Sequence, residues 1–124
     1  MQIRNIAFKA KRKDNGEWVE GDLLHTRHAD VVLISDFKDQ LFRCDGNTLC
    51  QYTGLTDKNG RKIWENDIIE LPGEDGYFVC EWQEDTARFV LNGEGLTVDF
   101  DNYWSYEVEV IGNIFDNADL LEVK

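Results

Sequence analysis

Three observations predict that this chain has a mainly β fold, in the form of a small barrel or roll. Short runs rich in β-branched and aromatic residues recur along the sequence, and strands favour these residue types. Turns containing Gly, Asn or Asp separate the runs. No long amphipathic helix is apparent, and the one helical segment expected is a short turn at residues 117–121, capped by Asp116 or Asn117.

The N-terminal residues predict a β-hairpin. Apolar residues alternate weakly with polar ones over residues 3–10, and Asn15-Gly16 follows shortly afterwards. Asn-Gly between two strand-like runs is a strong short-range hairpin signal, because both residues tolerate positive φ. We therefore expect residues 3–12 to pair with residues 17–24, with Trp18 as a buried anchor.

The next stretch predicts a strand and a second hairpin. Residues 31–34 form an unbroken apolar run, which favours a strand partly covered on both faces. A turn is expected at residues 36–39. The turn-forming residues 45–47 then separate two strand-like runs, 41–44 and 48–52, and so predict another hairpin.

Residues 51–71 contain the densest turn chemistry in the chain. Turns are expected at Thr53-Gly54 and at residues 57–60, followed by a polar corner at residues 65–67. The apolar run that begins at Ile68 predicts a core strand, which ends at Pro72-Gly73. Asp67 is expected to accept backbone N–H bonds at the corner. The structural motif consists of Thr53, Gly54, Asp57, Gly60, Ile63, Trp64, Asp67 and Ile68.

Four further strands are expected in the C-terminal part of the chain. They are residues 77–83, 86–91, 96–100 and 104–111, with turns at Asn92-Gly93 and Asp101-Asn102. Alternation in the first predicts that Phe78, Cys80 and Trp82 share one face. The four tryptophans are expected to pack in the core rather than to stack on a ligand.

A family resemblance appears in the sequence TGLTDKNGRKIWENDIIE, residues 53–70. This segment resembles the motif of the YopX family, small proteins of phages and prophages in low-GC Gram-positive bacteria. Residues 6–10 and 18–23 are similar to the opening segment of that family, and residues 108–117 resemble its closing segment. Asn66 stands where the family usually has Gly, and Ala118 where it usually has Pro; both changes fall at expected bends. The resemblance implies a mostly β fold with an SH3-like barrel portion, and it implies no activity or catalytic residue.

The length of 124 residues indicates one YopX-like domain, residues 1–124, in two lobes. A composition shift near residue 51 predicts a hairpin lobe at about 1–50 and a more acidic SH3-like barrel lobe at about 51–124. The net charge is −12, and residues 63–124 carry sixteen acidic side chains against two basic ones. Residues 1–13 are basic instead and contain no acid. The acidity of residues 63–124 makes direct nucleic-acid binding and binding to anionic membranes unfavourable.

The remaining composition indicates a cytoplasmic protein with no disulfide framework, and the family resemblance implies the cytoplasm of a bacterial host. Three cysteines, Cys44, Cys50 and Cys80, make an odd count, and no secretory signal or membrane-spanning run is apparent. Reduced thiols are therefore expected. Cys80 lies inside a strand-like run and is expected to pack as a small apolar side chain.

Three patterns that suggest chemistry are better explained by structure. His25 and His28 lack the cysteine or carboxylate spacing of a zinc site, so a solvated loop is favoured. Residues 57–60 resemble the start of a calcium loop but have Gly at the fourth position instead of the sixth. Pairs of acids two residues apart, such as Glu107 and Glu109, favour a solvated strand face. No cofactor, metal or catalytic residue is therefore predicted.

These observations favour a non-enzymatic accessory protein that binds another protein, with formation of a homo-oligomer as one possibility. The candidate interaction surface consists of four basic residues, Lys9, Lys11, Arg12 and Lys13, which could meet acids of a partner or of a second copy. The alternative is an acidic mimic of nucleic acid that occupies a basic DNA-binding protein of the host. Direct nucleic-acid binding through the basic segment, and an enzyme assembled from distant residues, are less favoured.

Overall fold

The computed structural model describes residues 5–28, 30–100 and 107–121 and is mainly β. Eleven strands lie in these residues, with a 3₁₀ helix at Gly46–Thr48 and another at Ala118–Leu121. The strands are β1 Phe8–Lys11, β2 Trp18–His25, β3 Val31–Ser35, β4 Leu41–Asp45, β5 Cys50–Thr56, β6 Lys62–Trp64, β7 Asp67–Glu70, β8 Phe78–Gln83, β9 Arg88–Gly93, β10 Leu96–Asp99 and β11 Glu109–Asn113. The chain forms two compact units, Met1–Tyr52 and Thr53–Lys124.

The first unit is an antiparallel sheet in the order β4-β3-β2-β1-β5. The predicted β1–β2 hairpin is confirmed: Lys11 pairs with Trp18, and Gly16 has a φ of 74° in the connecting turn. One sheet face buries the core of this unit, formed by Ala10, Val32, Ile34 and Cys44. Gly21 is required by packing, because a Cβ there would lie 1.9 Å from the carbonyl oxygen of Ser35.

The predicted hairpin around residues 45–47 is wrong. These residues enter the 3₁₀ helix Gly46–Thr48, and β5 pairs with β1 instead of β4. The Asp45 side chain accepts the N–H of Asn47, and the Thr48 hydroxyl donates to the carbonyl of Asp45 at 2.7 Å. The same hydroxyl accepts the N–H of Lys11 at 2.8 Å. These side-chain bonds favour a helical turn and direct the chain towards β1.

The second unit contains an antiparallel sheet in the order β10-β9-β8-β7-β11. It also contains the end of β5, beside β6. The predicted core strand is confirmed as β7, where Ile68 and Ile69 are fully buried. Phe78, Cys80, Leu91 and Val108 pack in the same core cluster as Ile69. Neither sheet is closed into a barrel in the described part of the chain.

Three local predictions for this unit need correction. Thr53-Gly54 is part of β5 rather than a turn, although Gly54 has a φ of 89°. Asn92-Gly93 continues β9, and the chain reverses at Glu94 and Gly95 instead. Trp82 is 42% exposed, and it packs edge-on against Phe89 at 5.1 Å between ring centroids.

Part of the predicted strand 104–111, including Trp104, and the predicted turn at Asp101-Asn102 lie outside the described residues. The described end of that prediction is β11, which begins at Glu109. The predicted C-terminal helical turn is present as Ala118–Leu121. No helix among the described residues has the length and apolar character needed to cross a membrane.

Candidate functional site

The central motif is built around the buried carboxylate of Asp57, which is only 4% exposed. One carboxylate oxygen, Oδ1, accepts the backbone N–H groups of Asn59 and Arg61, each at 2.9 Å. The other, Oδ2, accepts the N–H of Val110 in β11, also at 2.9 Å. We call residues 57–61 together with their contacts to residues 108–110 the Asp57 clasp.

Asp57 is suited to a structural role, not to proton transfer. Burial alone would raise its pKa, but the backbone N–H groups of Val110, Arg61 and Asn59 outweigh burial, and the pKa of Asp57 lies below its usual range. Hydrogen bonds to an ionised carboxylate stabilise the charged form. The group therefore stays ionised near neutral pH, and three backbone donors occupy its oxygens.

Other contacts complete the Asp57 clasp. The N–H of Lys58 donates to the carbonyl of Val108 at 2.9 Å, and the Arg61 guanidinium donates to the carbonyl of Val110 at 3.3 Å. The ammonium of Lys58 also lies 3.1 Å from the Glu109 carboxylate. The clasp thus supplies partners to backbone groups of residues 108–110, which adjoin the outer edge of the sheet. Edge groups left unpaired would favour pairing with other chains.

A second buried carboxylate, Asp67, fixes the corner between β6 and β7. Its Oδ2 accepts the N–H of Trp64 at 2.8 Å, the backbone bond expected from the sequence. Asn66 occupies the tip of this corner with a φ of 73°, a left-handed conformation that Asn adopts more readily than most residues. Its N–H donates to the carbonyl of Cys80 at 2.7 Å. Asn can therefore fill a bend where Gly is usual.

The remaining motif residues also have structural environments. The Thr53 hydroxyl donates to the carbonyl of Ile63 at 2.7 Å, joining β5 to β6. Ile63 and Trp64 are buried, as is Ile68 in β7. Gly60 occupies the turn of the clasp with a φ of 78°. The structure thus brings the predicted motif residues together as hydrogen-bond partners of the backbone and as part of the core.

The four basic residues predicted as an interaction surface divide into two groups. The ammonium groups of Lys9 and Lys11 lie over the ring of Trp18, at 4.5 and 5.4 Å from its centroid. Arg12 instead lies over the ring of Phe42 at 4.6 Å. Its guanidinium also binds Asp14 with two hydrogen bonds of 2.9 and 2.6 Å. This bidentate contact raises the pKa of Arg12 and lowers that of Asp14.

A groove of about 580 Å³ lies in the first unit beside Arg12 and Lys13. We call it the basic groove; its lining residues are Arg12, Lys13, Asp14, Leu41, Phe42 and Arg43. Leu41 is 56% exposed there. Leu41 and Arg43 were not predicted as surface residues from the sequence. Alternation in β4 was the available signal, since Cys44 and half-buried Phe42 occupy the other positions.

A second groove, of about 420 Å³, lies in the second unit and has the opposite charge. Its acidic rim includes Glu74, Asp75 and Glu94, and we call it the acidic groove. Three exposed large apolar side chains line it: Tyr77, Leu96 and Leu121. Both grooves combine exposed apolar surface with one predominant sign of charge, a combination that suits recognition of a macromolecule.

The described residues contain no arrangement that indicates metal binding. Among residues 5–28, 30–100 and 107–121, no three His, Cys, Asp or Glu side chains are grouped so as to hold a metal ion. Cys44, Cys50 and Cys80 are buried free thiols. Burial raises the pKa of Cys44, so its nucleophilic thiolate form is disfavoured. His28 lies in a loop held by the Thr26 hydroxyl, which accepts the backbone N–H of His28 at 3.1 Å and donates to its carbonyl at 2.9 Å.

Comparisons with known proteins agree with this β architecture. A family model described as "YopX protein" matches residues 7–122. The crystal structure of protein EF1440 from Enterococcus faecalis is similar, with a TM-score of 0.61 and 21% sequence identity. The alignment covers 95% of this chain and 99% of that one, and at this identity it shows the fold alone. No curated protein matches the chain.

Proposed function

The chain belongs to the YopX family, and from that premise we propose that it is a non-enzymatic phage or prophage accessory protein. In this proposal it acts in the host bacterial cytoplasm by binding another protein. The observation that carries the proposal is that the buried carboxylates of the motif have structural roles, whereas the exposed apolar side chains lie in grooves open to a partner. Asp57 and Asp67, the buried carboxylates of the motif, bind backbone N–H groups, whereas exposed apolar side chains line the two charged grooves.

Affinity purification from infected or lysogenic cells tests this proposal. The tagged chain should retain at least one protein at a constant ratio after nuclease treatment. A variant altered in whichever groove binds should lose that protein. Matched variants are Arg43→Glu for the basic groove and Glu94→Lys for the acidic groove, since both residues are exposed. If no protein is retained under crosslinking conditions and the chain remains monomeric, the proposal fails.

Self-association is one form that this binding would take. The predicted basic residues, Lys9, Lys11, Arg12 and Lys13, would meet acidic side chains of a second copy. Light scattering after size-exclusion chromatography should then give a mass above the monomer at low salt and a lower mass at high salt, because salt screens exposed charges. A monomer at both salt concentrations, at high micromolar protein, contradicts this form of the proposal.

A second candidate function, acidic mimicry of nucleic acid, is favoured by the acidic groove. Glu74, Asp75 and Glu94 place negative charge beside apolar surface that a basic protein could cover. A captured host DNA-binding protein should then be displaced by added DNA. A purification that recovers no DNA-binding protein would count against mimicry while leaving the first proposal intact.

An SH3-like barrel in the second unit remains part of the proposal. In that unit β7 to β10 form a meander, and the last strand, β11, pairs with the first strand of the meander, β7. This order supports an SH3-like arrangement in which the sheet curls towards closure. Nuclear Overhauser effects between backbone protons of β10 and β11 would be expected of a closed barrel. A solution structure in which β10 and β11 lie far apart would show an open sheet and contradict the barrel.

A further inference from the structure

We propose that the basic groove binds an acidic, extended segment of another protein, which adds to the free part of the β4 edge and buries one apolar side chain against Leu41. This inference rests on the proposed function and deepens it by naming the chemistry of the partner. Strand addition takes affinity from main-chain hydrogen bonds and specificity from alternate side chains.

The backbone of β4 offers the first part of such a site. This strand is at one end of the sheet order in the first unit. The carbonyl of Arg43 accepts the N–H of Lys13 at 2.9 Å, so the backbone groups of Arg43 point away from β3. Because strand groups alternate in direction, those of Leu41 point to the same side. The carbonyl of Gln40 accepts the N–H of Asp36, the residue after β3. By the same alternation, the backbone groups of Phe42, between Leu41 and Arg43, point towards β3.

The side chains along this edge supply the second part. Leu41 and Arg43 are two residues apart and share a face of the sheet, and both are exposed. Neither Arg43 nor Lys13 forms an ion pair with any of the described residues. Arg12 is held between Asp14 and Phe42 and forms a fixed wall of the groove. An apolar side chain opposite Leu41 and a carboxylate within reach of the Arg43 guanidinium would complement this edge.

Charge favours an acidic protein segment over nucleic acid as the occupant. The whole chain carries a net charge of −12, which opposes the approach of a polyphosphate backbone. A short peptide with two carboxylates carries far less charge and can also cover Leu41. The groove volume of about 580 Å³ lies within the range of small-ligand sites and suits a few residues of an extended chain.

Two peptides of identical composition test the inference. In acetylated Thr-Leu-Thr-Asp-Thr-Asp amide, Leu and both Asp share one strand face; in Thr-Leu-Asp-Thr-Asp-Thr amide, Asp lies on the face opposite Leu. Titration into the ¹⁵N-labelled chain should shift the amide resonances of Leu41, Phe42 and Arg43. The first peptide should bind about tenfold more tightly than the second. Equal affinities, or no shift at these amides at millimolar peptide, would overturn strand addition.

Two variants with the same change in net charge test whether Arg43 attracts the peptide. Arg43→Glu should weaken binding of the first peptide about tenfold, since an attraction becomes a repulsion. Arg27→Glu, at an exposed residue outside the groove, changes net charge equally and should weaken it less than twofold. Leu41→Ser should also lower the affinity. Amide spectra check that each variant is folded, and equal losses for Arg43→Glu and Arg27→Glu would contradict the proposed site.

Competing occupants give distinct results. A hexanucleotide of single-stranded DNA that shifts the same amides more strongly than the first peptide would replace the inference with nucleic-acid binding. Shifts of these amides on concentrating the chain alone would assign the groove to a second copy. If the peptides fail while a partner is still captured through the acidic groove, the further inference is wrong and the proposed function stands.

Discussion

Two turns of the molecule, residues 36–40 and residues 57–61, have nearly the same local structure but different roles. In each, one oxygen of the first Asp accepts the N–H groups two and four residues later, at 2.9 and 2.8 Å for Asp36 and at 2.9 Å for both in Asp57. The first residue also donates its N–H to the carbonyl of the fifth, at 2.9 and 2.8 Å. The fourth residue has positive φ in both, 63° for Asp39 and 78° for Gly60.

The difference between the turns lies in the second carboxylate oxygen. That of Asp57 reaches the N–H of Val110, 53 residues later, and Asp57 is almost fully buried. The turn at Asp36 instead lies at the surface, and its second residue, Phe37, is 76% exposed. Short-range sequence thus sets the turn, whereas one long-range hydrogen bond decides whether the turn is a surface feature or part of the core.

The largest expected effect comes from replacing the two Asp residues with Asn. Asp57→Asn should lower the free energy of unfolding by about 2 to 3 kcal/mol, because either orientation of the amide turns its NH₂ group towards a buried N–H donor. Asp36→Asn keeps its oxygen on the two turn donors and should cost less than about 1 kcal/mol. Chemical denaturation measures both. Equal losses would show that the bond to Val110 adds nothing.

The acid dependence of stability sharpens the same comparison. The pKa of Asp57 is lowered by folding, so its stabilising contribution is complete above the unfolded-state pKa of about 3.9. The contribution is lost as pH falls through the lower pKa of the folded state. The stability gap between wild type and Asp57→Asn should therefore be constant above about pH 5 and shrink below about pH 4. A gap that widens on acidification would contradict the direction of the shift.

The sequence predicted both turns but not their different roles. Asp placed three residues before a residue able to adopt positive φ is a local signal, and both turns carry it. The contact between Asp57 and Val110 depends on how β11 pairs with β7, which no short window contains. The same limit explains why the hairpin predicted at residues 45–47 is wrong. There the partner of Thr48 is Lys11, 37 residues away.

The basic groove was predicted only in part, because its composition also depends on contacts between residues far apart in the sequence. The basic composition of residues 9–13 is visible in the sequence, but their partners, Trp18, Phe42 and Asp14, separate them into two groups. Leu41 and Arg43 join Arg12 only because Arg12, the residue after β1, bridges to Cys44 in β4. Alternation reveals which residues of a strand are exposed, whereas sheet order decides which of them meet.

A smaller effect is expected at the fourth residue of each turn. Gly60→Ala should cost about 1 kcal/mol, because Ala disfavours positive φ; no heavy atom lies within 4 Å of the added Cβ, so the loss would be purely conformational. Asp39→Gly should raise stability by a few tenths of a kcal/mol, because Gly adopts positive φ without strain. The greater entropy of Gly in the unfolded chain offsets part of that gain. Thermal unfolding compares the two. A neutral Gly60→Ala variant would mean that the turn relaxes out of the left-handed region.

The smallest effect is expected at the second residue of each turn, where the side chains differ most. Lys58→Ala removes an exposed ion pair with Glu109 but keeps the backbone bond from residue 58 to Val108, so the loss should stay below about 0.5 kcal/mol. That loss should vanish in about 1 M salt, which screens the pair. Phe37→Ser should change stability by less than about 0.5 kcal/mol, and salt should not alter the result. The hydrogen bonds assign the stability of the clasp to its backbone groups and to Asp57. A loss above about 1 kcal/mol for Lys58→Ala would show instead that the Lys58 side chain contributes part of it.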